Sequence, residues 1–156
     1  MDQQRPEDAL KEFKRASAAD SENYIPDLNE GIALLNMQRA DEAREILTEI
    51  TESHPAEARG WYNLGLLEKS AGNSEAALAA FSRALIIDPD DADTYYFLGT
   101  LNAELHHPAE AIKEFQAALK INPYHISAEF GLAQAYQRSG DAAKAKEHLE
   151  GFQHMN

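Results

Sequence analysis

The chain contains no cysteine, which removes disulfides, thiolate metal sites and cysteine nucleophiles together. It has no apolar run of the roughly 18 residues that a membrane-crossing helix needs. Basic residues are scarce: 14 Lys plus Arg stand against 27 Asp plus Glu, a formal charge of -13. Such an excess repels both the phosphate backbone of nucleic acid and anionic lipid headgroups. Neither nucleic-acid binding nor membrane insertion is therefore expected. Met1-Asp2-Gln3-Gln4-Arg5-Pro6 is polar where a secretory leader carries an apolar core, so a cytoplasmic setting is the default expectation. No glycine-rich phosphate loop, serine elbow or cofactor fingerprint occurs, so no cofactor and no catalysis are expected. What is present is enough to fold: 156 residues, 44% of them apolar.

Those residues repeat. Sliding the sequence along itself by 34 positions superimposes Pro55, Pro89 and Pro123, then Ala43, Ala77, Ala111 and Ala145, then Leu47, Phe81, Phe115 and Leu149. Gly31, Gly65, Gly99 and Ala133 form a further column; Leu64, Leu98 and Leu132 form another, in which Glu30 is the exception. A period of this length means stacked helix pairs. Proline ends each second helix, Gly72-Asn73 and Ser139-Gly140-Asp141 carry turn chemistry, and His107-Pro108 places proline in a first helical turn. Asp91 is placed to cap the helix after it. The spacing predicts helices over 25–37, 41–53, 58–71, 74–87, 92–105, 108–121, 126–139 and 142–155, preceded by a lone second helix over 6–20. Gly65 and Gly99 are expected opposite the small Ala77 and Ala111, with Phe81 and Phe115 filling the space between one repeat and the next.

Trp61-x2-Leu64-Gly65 followed by Ala77-x3-Phe81-x2-Ala84-x4-Pro89 resembles the tetratricopeptide-repeat signature, and Tyr95, Leu98, Gly99, Ala111, Phe115, Ala118 and Pro123 repeat it. The resemblance covers nearly the whole chain. It implies an all-α, right-handed superhelical solenoid of antiparallel helix pairs, with repeats at 24–57, 58–91, 92–125 and 126–156 behind an N-terminal half-repeat or capping helix over 1–23. It also implies that the first helices line a concave groove that takes a peptide or protein segment. Carried onto this chain residue by residue, the groove positions include Asn29 and Ile32, then Tyr62, Asn63 and Leu66. They continue with Tyr96, Phe97 and Thr100, and with Phe130, Gln134 and Arg138.

Arg59, Lys69, Asp93 and Glu104 fall beside them, which leaves the groove nearly balanced in charge and selection to shape and apolar contact. Asn29 and Asn63 are similar to the asparagine ladder with which the repeats of O-linked N-acetylglucosamine transferases hold a peptide main chain, but the next rungs are Phe97 and Gly131. The two-carboxylate clamp for chaperone tails is not matched: its positions hold Leu28, Ile32, Asn63, Asp93 and Phe97. The plain alternative is that the aromatic residues of this stripe pack against neighbouring helices.

The ends are irregular. Ala9, Phe13 and Ala16 fall in the columns of Ala43, Leu47 and Ile50, a second helix without its first. Half a repeat is either a makeshift cap or a cut inside a longer array, and the cut, from a larger protein of bacterial style, is the expectation. Leu149 and Phe152 at the other end predict weak homo-association through the terminal helices. His106-His107 near Glu104 and Glu110 lacks the spacing of a zinc helix motif and reads as exposed turn; His54 and His125 read as exposed residues at the crossings. The expected function is a protein-interaction module that binds a segment in the groove. The alternatives are a structural spacer in a larger multidomain protein and self-association through the incomplete ends.

Overall fold

A computed structural model of the chain describes residues 4–19 and 23–155. Residues 1–3, 20–22 and 156, together with the side chains of Gln4 and of residues 16–19, lie outside the described residues, and with them part of the expected leading half-repeat. Among the described residues the structure is nine helices and no strand: α1 Gln4–Ala19, α2 Ile25–Asn36, α3 Ala40–Ser53, α4 Ala58–Ser70, α5 Ser74–Ile87, α6 Ala92–Glu104, α7 Pro108–Ile121, α8 Ile126–Ser139 and α9 Ala142–Met155. The all-α class and the alternation of paired helices follow the 34-residue pattern, and the boundaries fall within a residue or two of those it predicts. The chain divides into two compact units, α1 to α5 ending at Ile87 and α6 to α9 from Asp88.

The turns inside the pairs share one geometry. Gln38, Gly72, His106 and Gly140 occupy the same column, and all four have positive φ, between 60° and 87°. At each, the next residue's N–H donates five residues back: Arg39 to Leu34, Asn73 to Glu68, His107 to Asn102 and Asp141 to Tyr136. This is the left-handed closure that satisfies carbonyls at a helix C-terminus. Helix starts are handled separately. Asp91 accepts from the N–H groups of Asp93 and Thr94, and from the Thr94 hydroxyl at 2.7 Å, as its position predicts. Pro108 stands in the first turn of α7.

Packing corrects the glycine reading. A Cβ at Gly65 would lie 2.7 Å from the Phe81 ring, and one at Gly99 equally close to Phe115. Glycine on the first helix therefore makes room for the aromatic ring of the second rather than for Ala77 or Ala111. At Gly31 the facing residue is Leu47, and the added Cβ would be 3.0 Å away. Phe115 also meets Gly131 of α8, where a Cβ would come within 2.6 Å, so one ring serves both its own pair and the next.

The first unit gathers Leu10, Leu28, Leu34, Leu47, Ile50 and Leu67 into its core. The second gathers Phe115, Leu132 and Tyr136 around small alanines. The register of α1 differs from expectation: Leu10 is buried, while Ala9 and Phe13 are half-buried. Among the described residues α1 turns its apolar stripe toward α2, and Leu10 is buried there.

Candidate functional site

In the second unit α6 and α8 lie side by side with α7 behind them, and they enclose a pocket of about 280 Å³. Its apolar wall is aromatic. Tyr96 comes from α6, Phe130 from α8, and Phe115, treated in the sequence as core alone, closes the floor from α7. Tyr96 is fixed from three sides, its ring centroid 5.4 Å from Phe97, 6.1 Å from Phe115 and 5.2 Å from His125. Phe130 is 39% exposed and rests on Phe152 of α9 with ring centroids 5.0 Å apart. The terminal Phe152 is thus partly covered from within the chain.

The polar rim holds Thr100, Gln134, Arg138 and Glu104. The Thr100 hydroxyl donates to the Tyr96 carbonyl at 3.0 Å, which leaves its lone pairs for an incoming donor. Arg138 and Glu104 are exposed, and neither makes an ion pair with another described residue. Of the expected groove residues, Tyr96, Thr100, Phe130, Gln134 and Arg138 line this pocket. Phe97 does not; it is half-buried beside Tyr96.

In the first unit the expected residues lie on α2 and α4. Asn29 is exposed, while Ile32, Tyr62 and Leu66 are half-buried. Tyr62 meets Phe81 edge-on at 5.9 Å. Asn63 is buried, and its amide donates to the Arg59 carbonyl at 2.8 Å, so one of its two N–H groups is already used on its own helix. Leu28 is fully buried in the core rather than presented at a surface.

Two of the charges beside the groove positions, Arg59 and Asp93, are engaged. Arg59 donates to the Tyr24 hydroxyl at 3.1 Å, and that hydroxyl donates to Glu57 at 2.8 Å. Asp93 pairs with His125 at 3.0 Å. Thirty-four-residue arithmetic locates such groups on a face but says nothing of a partner 32 to 35 residues away.

Two histidines depart from the exposed reading. The His125 side chain is only 10% exposed. Its Nδ1 accepts from the Ala128 N–H at 3.1 Å, capping α8, so the proton resides on Nε2 and is donated to Asp93. His54 is half-buried, with its ring 4.9 Å from Tyr24 and Nδ1 2.9 Å from the Ser53 hydroxyl. His106 and His107 are exposed. His106 holds the left-handed turn position and His107 precedes α7. Among the described residues no group of three histidines and carboxylates gathers in a metal-binding arrangement, and no helix is long and apolar enough to cross a membrane.

Comparison with known proteins places this geometry. Tetratricopeptide-repeat models match residues 28–92, 69–126 and 102–151. The human protein O-mannosyl-transferase TMTC3 is 32% identical over 120 residues, 73% of this chain and 13% of that protein. Tetratricopeptide repeat protein 37 of Xenopus laevis is 30% identical over 146 residues, 90% of this chain and 9% of that protein. The chain thus spans a small part of the curated relatives it matches. Among solved structures, MamA 41-end from Desulfovibrio magneticus RS-1 has the same fold, with a TM-score of 0.88 at 23% identity over 96% of this chain and 85% of that one. Repeats of this type are protein-binding modules rather than catalytic ones. From the repeated signature, the glycine-and-ring packing and the models matched across it, the chain belongs to the tetratricopeptide-repeat family and is a protein-protein interaction module.

Proposed function

We propose that the module binds a peptide segment, and that the pocket of the second unit takes one large apolar side chain of it. The observation that carries this is the pocket itself: aromatic walls from Tyr96, Phe115 and Phe130, a polar rim, and Arg138 and Glu104 free of partners among the described residues. Its volume suits a single leucine-sized or aromatic side chain, and aromatic walls bury such a group at small entropic cost. Thr100 and Gln134 stand where they can bond the peptide backbone. Phe97 contributes by bracing Tyr96. In the first unit Asn29, Ile32, Tyr62, Asn63 and Leu66 present the corresponding first-helix surface, with Asn29 the freer amide. The repeats are read as carrying no chemistry of their own, and the frame kept for them is 1–23, 24–57, 58–91, 92–125 and 126–156.

A peptide-array screen with the whole chain tests the reading. Selected peptides should share one aromatic or long aliphatic residue, and Phe130→Ala should weaken them by about 2 kcal/mol, the loss typical of an anchor. Unchanged affinity rejects the pocket. A second reading, a spacer that positions other domains, is favoured by the small share of TMTC3 and of repeat protein 37 that the chain covers. Weak homo-association through α9, where Leu149 and Phe152 are half-buried, is the third; light scattering that shows a monomer at every accessible concentration removes it.

A further inference from the structure

The first unit holds a second and larger cavity, about 500 Å³, that peptide binding by the first-helix faces does not use. It opens where α1, α2 and α3 face one another. Its floor is apolar: Leu34 and Ile50 are buried and Ile46 half-buried. Its walls carry five carboxylates against one cation, Lys14, with Tyr24, Ser53 and His54 beside them. Asp27 and Glu30 come from α2; Glu42, Glu45 and Glu49 come from one face of α3, at helical spacing. Glu42 is engaged by Arg39 in two contacts of 2.8 Å, whereas Asp27, Glu45 and Glu49 make no ion pair with another described residue.

Glu30 distinguishes this cavity from a solvated patch of acids. It stands in the column that holds Leu64, Leu98 and Leu132 in the other repeats, and it is only 6% exposed. Its one ion-pair partner among the described residues is Lys14, 3.7 Å away on a side chain that is itself 65% exposed. Desolvation holds the Glu30 carboxyl above the usual carboxylate range despite the opposing pull of Lys14. A buried carboxylate with a single long, wet partner costs stability that leucine at the same place would not. Among the described residues Lys14 alone offsets part of that cost. A cation arriving from outside would offset more of it.

We propose that this cavity docks a basic amphipathic segment of a partner protein. One lysine or arginine reaches Glu30, neighbouring ones meet Asp27, Glu45 and Glu49, and aliphatic side chains cover Leu34, Ile46 and Ile50. Charge complementarity fixes the class of occupant, because an acidic segment, an anionic membrane or a nucleic acid is repelled by the same walls.

Fluorescence anisotropy with the whole chain tests this, using a labelled synthetic helix of leucine and lysine and the same helix with glutamate in place of lysine. The lysine peptide should bind and weaken with salt, and the glutamate peptide should not bind. Glu45→Lys with Glu49→Lys should weaken binding at least about tenfold, a change of 1.4 kcal/mol. Glu30→Leu, which restores the residue of the other repeats and keeps the fold, should weaken it clearly as well. Reversal of two exposed carboxylates of the second unit, Glu110→Lys with Glu147→Lys, changes the net charge equally and should leave binding intact. The proposal fails if this control weakens binding as much as the cavity pair does, since the peptide then reads only overall charge. It fails too if Glu30→Leu binds as tightly as the parent chain.

Discussion

Gln38, Gly72, His106 and Gly140 turn the backbone into the same left-handed region, yet two of the four carry a side chain there. Glycine enters that region freely, whereas an L residue pays about 1 kcal/mol or more. Gln38→Gly and His106→Gly should therefore each raise stability by about 0.5 to 1 kcal/mol in thermal or urea denaturation, and a loss would contradict the assignment. The same residue scale governs the glycine and ring column. Gly99→Ala drives a methyl to 2.7 Å from Phe115, whereas Gly31→Ala meets a flexible leucine at 3.0 Å. Overpacking of this kind costs about 1 to 3 kcal/mol, so Gly99→Ala should destabilise measurably more than Gly31→Ala. The glycine column was legible in the sequence; its partner was not, because a repeat alignment shows that positions correspond without showing which side chain lies across the helix pair. His106 was legible as a turn residue, but its strained φ was not, since in this chain the column mixes glycine with glutamine and histidine.

At the scale of the helix, α2 carries the chain's least expected burial. Glu30 lies under α1, and its carboxyl is raised by desolvation. A group whose native pKa exceeds its unfolded one binds protons more readily when folded, so stability falls as pH rises through that window. The penalty is fully present at neutral pH and is relieved as the medium becomes acidic enough to protonate the group. Glu30→Leu should accordingly raise Tm at pH 7, with a gain that shrinks toward the acid end of the carboxylate range; a pH-independent gain would mean that packing alone is responsible. Helix limits were readable because Pro55, Pro89 and Pro123 with the turn residues punctuate the pattern, and punctuation depends on local backbone rules. The burial of Leu10, the burial of Glu30 and the capping role of His125 were not readable. Leu10 lies at an irregular end where the 34-residue period offers no complete repeat to compare, whereas Glu30 and His125 share the columns of Leu64 and Asp91 but carry a different kind of side chain, whose partner the period does not give.

Over the whole molecule the formal charge is -13, carried by carboxylates in excess of the cations, and the ion pairs among the described residues are mostly exposed and individually worth little. Net self-repulsion then opposes compaction, and screening should relieve it. Tm is expected to rise between low salt and roughly 0.15 M; a fall would show that attractive pairs dominate instead. Family and fold were legible at this scale because a signature recurring in phase is hard to produce by chance. The pocket of the second unit was half legible: five expected groove residues line it, but its floor was assigned to the interior.

That floor has a further effect. The Phe115 ring is wedged between Gly99 of α6 and Gly131 of α8, and a guest in the proposed pocket would touch that same ring. Occupancy should thus act as a thermal protectant for the second half of the chain, since whatever binds only the folded form stabilises it. If the pocket binds as proposed, changes of guest should fall on Phe130, Gln134 and Arg138, because exchanging the central ring would loosen the scaffold that presents it.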